Sequence, residues 1–173
     1  MEDRFARMSG DPRYEKRKAL ISTGNFDGGV STIVEKALGG VHKSGHRPVI
    51  DVIDYAEPSD RTGGVLLMDS PSHDGEVVTG MVGAGAQIVV FTTGRGTPVG
   101  FPFVPVIKVT GNSRTYERMQ LNLDFNAGGI LDGTDTIDSC GEQLYRMVLE
   151  TANGRRTRAE SLRHDELFCI TRF

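Results

Sequence analysis

Two short runs, Val65-Leu66-Leu67-Met68 and Ile88-Val89-Val90-Phe91, constrain the fold more than any other feature of the chain. Each is wholly apolar, of strand length and followed at once by turn residues, which is the pattern of a strand covered on both faces. Between them, Glu76 to Ala86 supplies Val77, Val78, Met81 and Val82, the apolar content of a crossover helix, though its glycines weaken it. Strand, helix, strand with both strands buried is the βαβ unit of a parallel sheet.

The flanking segments extend this pattern. Pro48 to Asp54 alternates β-branched and acidic residues and reads as a strand, and Val104 to Val109 is a further candidate, qualified by Pro105. Ser31-Thr32 followed by Glu35 is a capping box. After it, Val34, Ala37, Leu38 and Val41 recur at helical spacing until Gly45. A longer helix is expected from Asp135 to Ala152, with Ile137, Cys140, Gly141, Leu144, Met147 and Val148 inward and Gly154 closing it. Leu167 to Phe173 suits an edge strand. The expected fold is α/β, three-layered, with a mostly parallel sheet of Rossmann-like βαβ units.

At 173 residues the chain has the length of about one domain, read as a charged lead-in over 1–20 and an α/β domain over 21–173. A net charge of -3 argues against nucleic acid as a partner. No apolar stretch approaches the roughly 20 residues of a membrane span, and the start carries no secretory pattern. Cys140 and Cys169 show neither CxxC nor metal spacing, so reduced, buried thiols and a cytoplasmic location are expected. His42, His46 and His164 show no partner spacing and read as surface residues.

In open α/β sheets ligands bind beyond the carboxyl ends of the strands. Asp69 to Asp74 follows one apolar run and Thr92-Thr93-Gly94-Arg95-Gly96 the other. If the two strands are neighbours, Asp69 and His73 face Thr92, Thr93 and Arg95 across one crevice. Arg95 offers a planar fork for a carboxylate, and the threonines with the glycine amides can complete an anion nest. Asp69 suits substrate hydroxyls, and His73 suits acid–base work. The alternative is that His73-Asp74-Gly75-Glu76 simply starts the next helix. The Gly-rich loop Thr23 to Gly29 precedes the first helix without a P-loop ending, and Gly83 to Ala86 precedes a strand. Asn112-Ser113 with Asn122, Asp124 and Asn126 forms a third polar segment, for which turn chemistry is a sufficient explanation.

These segments resemble one family in sequence order. Gly24-Asn25-Phe26-Asp27-Gly28-Gly29 with Ser31-Thr32 and Glu35-Lys36, then Asp51 to Pro58, Met68-Asp69-Ser70-Pro71, Phe91-Thr92-Thr93-Gly94-Arg95-Gly96, and Asp124 to Gly128 are similar to successive motifs of the altronate/galactarate dehydratases, which include the large subunit of sulfolactate sulfo-lyase. Ser72 departs from the family's usual Gly, and Ile21-Ser22-Thr23 replaces its Pro-rich approach. The resemblance implies the carboxy-terminal domain of a hydro-lyase that eliminates water from a sugar acid. It implies substrate contacts at Asn25, Asp69, Thr92, Thr93, Arg95 and Asp124, with no metal ligand in this chain. A divalent metal, expected to be iron, would be held in the full-length enzyme and not by this domain alone. The remaining expected partners are the amino-terminal and central regions of the same enzyme and a second copy of the chain, and the domain alone is expected to be inactive. The alternatives are a stand-alone module for a small organic anion, a dimerisation domain, or part of a sulfolactate sulfo-lyase.

Overall fold

A computed structural model describes Asn25, residues 30–71 and residues 73–165. The charged lead-in, the tail strand and Cys169 lie outside these residues. The chain divides into two compact units, one reaching to Ile50 and including Gly63–Val65, the other comprising Asp51–Thr62 and the chain from Leu66 onward.

The first unit contains helix α1 (Ile33–Lys43). Its start follows the sequence: the Thr32 hydroxyl accepts from the Glu35 N–H at 3.1 Å, while the Glu35 carboxylate accepts from the Ser31 N–H and hydroxyl. These hydrogen bonds, the backbone one first, hold the Glu35 carboxyl below its ordinary range. The apolar stripe is formed but uncovered among the described residues: Val34, Leu38 and Val41 are all more than half exposed. Helical phase sets where a stripe points and does not supply the element that covers it.

Strands β1 (Val49–Ile53) and β2 (Val65–Met68) pair with each other as a two-stranded sheet. The Asp69 N–H donates to the Ile53 carbonyl at 2.9 Å, so the carboxyl ends of the two strands lie together. Helix α2 (Asp74–Gly83) follows, and its Glu76 carbonyl accepts from the Tyr55 hydroxyl at 2.7 Å. The Gly83-Ala84-Gly85-Ala86 run is its stop, closed by the Ala86 N–H on the Met81 carbonyl.

The rest of the second unit is built on three parallel strands in the order β3 (Val89–Thr93), β4 (Val106–Thr110), β5 (Phe125–Asn126). The βαβ reading therefore needs correction. Among the described residues β2 pairs with β1 and β3 with β4, so the two apolar runs flank α2 in sequence without sharing a sheet. Nor is either run covered on both faces throughout: no residue of β2 is buried, and Leu67 and Val90 are exposed. A short apolar run fixes neither its neighbour nor the cover of each face. The chain between β3 and β4 is irregular. Helix α3 (Ser113–Arg118) lies between β4 and β5, and the short α4 (Gly129–Asp132) follows β5.

All five residues of β4 are buried, because both of its faces are covered. On one side Val106 and Val89 pack with Val78 of α2 and with Val99, Phe101 and Val104 of the β3–β4 connection. On the other, Ile107, Val109 and Phe125 pack with Cys140, Leu144, Met147 and Val148 of α5 (Ile137–Ala152). The three-layer α/β arrangement holds for this sheet. Ile137 and Gly141, expected inward on α5, are exposed. Ile137 opens the helix, beyond the reach of the cluster that covers Cys140 and Leu144. A last helix, α6 (Arg158–Leu162), starts with a full capping box between Thr157 and Glu160.

The entry to α5 is organised by Asp135. Its carboxylate accepts from the Thr136 N–H at 2.8 Å and from the buried Cys140 thiol at 3.2 Å. The Thr136 amide first, then Cys140, Ser139 and Gln143, hold this carboxyl below its ordinary range, while burial and the Asp135 bond push the thiol up. A depressed carboxyl stabilises the fold above its unfolded pKa of about 4 and loses that contribution as pH falls through the folded value. Asp135→Asn should therefore lower the melting temperature at pH 7, and the gap to the parent should close on acidification below about pH 4. Thermal melts across pH 3–7 test this; a gap that is constant with pH removes Asp135 from the acid response.

Candidate functional site: the carboxyl edge of the parallel sheet

Parallel register places three polar residues in one row. Thr93 pairs with Thr110, and Thr110 with Asn126, at the carboxyl ends of β3, β4 and β5. Each row residue uses its side-chain oxygen to fold the loop that leaves it. The Thr93 hydroxyl accepts from the Gly96 N–H at 3.0 Å, the Thr110 hydroxyl from the Asn112 N–H at 3.2 Å, and the Asn126 carbonyl oxygen from the Gly128 N–H at 2.9 Å. Three loops turn over the edge by one device, a side-chain oxygen capturing a backbone donor two or three residues on.

The loops are also joined to one another. The Thr115 hydroxyl donates to the Gly94 carbonyl at 3.0 Å, fixing the 94–96 turn against α3. The Asn112 side chain caps α3 by accepting from the Thr115 N–H at 3.1 Å. The Asn126 amide donates to the Ser113 hydroxyl at 3.4 Å, and that hydroxyl donates to the Asp132 carboxylate at 2.5 Å. Gly128 is held so close that a Cβ would stand 2.5 Å from the Ser113 backbone nitrogen. Arg95 is exposed in the loop beyond this row, and Thr92, one residue before it and in register with Val109, is exposed on β3.

The residues singled out in the sequence are distributed as follows. Thr93 and Arg95 lie on the rim with Thr92 one residue before it, and the Asn112, Ser113 and Asn126 segment comes to them through the parallel pairing. Asp69 and His73 follow β2, on the other sheet. His73 supplies the backbone cap of α2: its carbonyl accepts from the Val77 N–H, and its exposed ring sits 3.2 Å from the Glu76 carboxylate. This is the helix-start alternative in full. Asn25 belongs to the first unit, where its carbonyl accepts from the Val30 N–H. Asp124 lies two residues before the row, and both its oxygens receive backbone donors, from Lys108 at 2.8 Å and from Arg158 at 2.7 Å. His42 and His46 are exposed as expected, whereas His164 is half-buried with its ring 3.0 Å from the Pro98 carbonyl.

Sequence reasoning passed over Thr110 and Lys108. Thr110 is fully buried at the centre of the row. Lys108 is also fully buried, with its ammonium donating to the Val99 carbonyl at 3.1 Å. Burial pushes its pKa down, and the charge of Asp124 works against that shift. The signal was a lysine inside an otherwise β-branched run, Val106-Ile107-Lys108-Val109-Thr110.

Among the described residues no three His, Cys, Asp or Glu side chains gather around a common point. Among the same residues, no helix is long and apolar enough to cross a membrane.

The chain belongs to the D-galactarate/altronate dehydratase family, whose C-terminal model matches residues 3–173. Among individual relatives, the beta subunit of (2R)-sulfolactate sulfo-lyase from Chromohalobacter salexigens is 44% identical over 175 residues, covering 99% of this chain and 44% of that protein. Galactarate dehydratase (L-threo-forming) from Escherichia coli is 38% identical over 141 residues, covering 81% of this chain and 27% of the enzyme. Altronate dehydratase from Bacillus subtilis is 38% identical over 146 residues, covering 84% and 29%. The chain thus spans less than half the length of each.

Gly96 is where the rim is most sensitive. Its φ of +85° is left-handed, and a Cβ there would meet the Met119 sulfur and the Thr115 methyl. Gly96→Ala should cost about 1–2 kcal/mol from the backbone alone, read as a lower urea midpoint at unchanged slope. A parent-like midpoint would show that the turn relaxes freely.

Proposed function

We propose that this chain is the substrate-gripping carboxy-terminal domain of a lyase that eliminates water from a sugar acid. The observation that carries it is the row Thr93–Thr110–Asn126 with Arg95 exposed in the loop beyond it and Thr92 exposed one residue before it, an edge suited to a carboxylate flanked by hydroxyls. Abstraction of a proton beside a carboxylate leaves enediolate charge on its oxygens. A guanidinium fork at Arg95 complements that charge, and the Thr92 hydroxyl and loop amides complement the neighbouring oxygens. Thr93 already spends its hydroxyl oxygen on Gly96, so its part is to hold the loop while its O–H remains available as a donor.

In this reading Asp69 and Asn25 add hydroxyl contacts in the complete enzyme, and Asp124 supports the site from beneath through its two backbone amides. His73 stays a candidate proton carrier because its ring is exposed at the carboxyl side of β2. Proton abstraction itself is assigned to no residue of this chain. A divalent metal, proposed as iron, would be held by regions outside the described residues, and no step is derived through it. The enzyme is proposed to work in the cytoplasm and to assemble as a homo-oligomer.

One observation favours a second reading. The sulfo-lyase subunit is more similar to this chain than either dehydratase above, 44% against 38%. The same edge would serve an elimination in which sulfite leaves in place of water, since both begin beside a carboxylate. Assays of the complete enzyme on galactarate, altronate and (2R)-sulfolactate separate the two by which substrate turns over.

Arg95→Ala in the complete enzyme should cost about 2–4 kcal/mol in kcat/KM, the loss expected for one oriented oxyanion partner; near-parent kinetics would remove Arg95 from the site. The 173-residue chain alone, supplied with ferrous iron, should dehydrate neither altronate nor galactarate, and robust turnover would show that it carries a whole active site.

A further inference from the structure

We infer that Lys108 is a positioning residue for the Thr92–Gly96 loop, holding from below the chain that leaves it. The inference rests on the functional reading above for its consequence and on geometry for its substance. Lys108 and Thr110 are two apart on β4 and share one face, so the lysine stands one pleat step beneath the centre of the polar row. Opposite it in register is Phe91, immediately before Thr92.

A fully buried ammonium is costly unless it is hydrogen-bonded, and an apolar chain of equal length would fill the same space without that cost. What the ammonium provides here is a fixed donor to the Val99 carbonyl. Val99 is itself fully buried and lies three residues after Gly96. The loop is thus fixed on both sides of its turn, by the β3 ladder before it and by the lysine after it. Thr97 reinforces the second anchor by accepting from the Val99 N–H at 3.3 Å. The Asp124 carboxylate grips the Lys108 backbone N–H and keeps this point of β4 from shifting.

The test is Lys108→Met, which keeps length and removes the donor. In the 173-residue chain, hydrogen exchange of the Gly96 and Val99 amides should accelerate at least tenfold, while the β4 amides keep parent protection. In the complete enzyme the same variant should raise KM at least fivefold with a smaller change in kcat. Unchanged exchange at Gly96 and Val99 overturns the inference, as does acceleration spread evenly over the whole sheet. Faster loop exchange with parent-like KM also overturns it, since the loop held would not be one that grips substrate. If Lys108→Met does not fold, Lys108→Leu, which also removes the donor, is read in the same way. Failure of both to fold assigns the lysine to the core and sinks the proposal. The exchange result stands apart from Arg95→Ala, so a wrong substrate assignment and a wrong role for Lys108 give different outcomes.

Discussion

The candidate site depends on the parallel ladder that sets β4 between β3 and β5. That pairing alone brings Thr93, Thr110 and Asn126 into a row, although they are spread over more than thirty residues of sequence. Parallel strands put all three carboxyl ends on one side, so three separate loops must leave the sheet together. The burial of β4 on both faces fixes the register, because a slip of one residue would exchange Ile107 and Val109 for Lys108 and Thr110 against α5.

Once the ladder is set, the rim follows from local chemistry. Each row residue has a side-chain oxygen of the right reach to capture a donor in the loop just beyond it, so the turns are short and held. The loops then interlock through Thr115, Ser113 and Asn126. Such a rim costs little reorganisation when a ligand arrives, which suits the anionic hydroxy acid proposed for it. Beneath it, Asp124 illustrates how a residue in a motif can serve by structure: both its carboxylate oxygens are occupied by backbone amides that tie β4 to β5 and to the start of α6.

In the function proposed for it, this chain shares its work with the rest of a longer enzyme. The described residues would contribute hydroxyls, amides and a guanidinium at the rim, and the relatives are more than twice the length of this chain. The separation of Asp69 and His73 onto the β1–β2 sheet belongs to the same picture: the two loaded strand ends are attached to different sheets and are not two neighbours on one edge.

Most elements were determined by the sequence itself, because their signals are local. The Thr32 cap, the apolar runs at 65–68 and 88–91, and the Cys140-Leu144-Met147-Val148 face follow from spacing and cap chemistry that act within a few residues. The family was legible for a related reason: its motifs are short runs of residue types that are read in sequence order without reference to the fold. Tertiary structure alone decided who pairs with whom. It set β2 beside β1 and β3 beside β4, left the stripe of α1 and Ile137 of α5 exposed, made His73 a helix start, and turned Lys108 from one polar residue in an apolar strand into a buried tether. Those outcomes rest on contacts between residues far apart in the chain, and neither periodicity nor propensity carries information about a partner that distant.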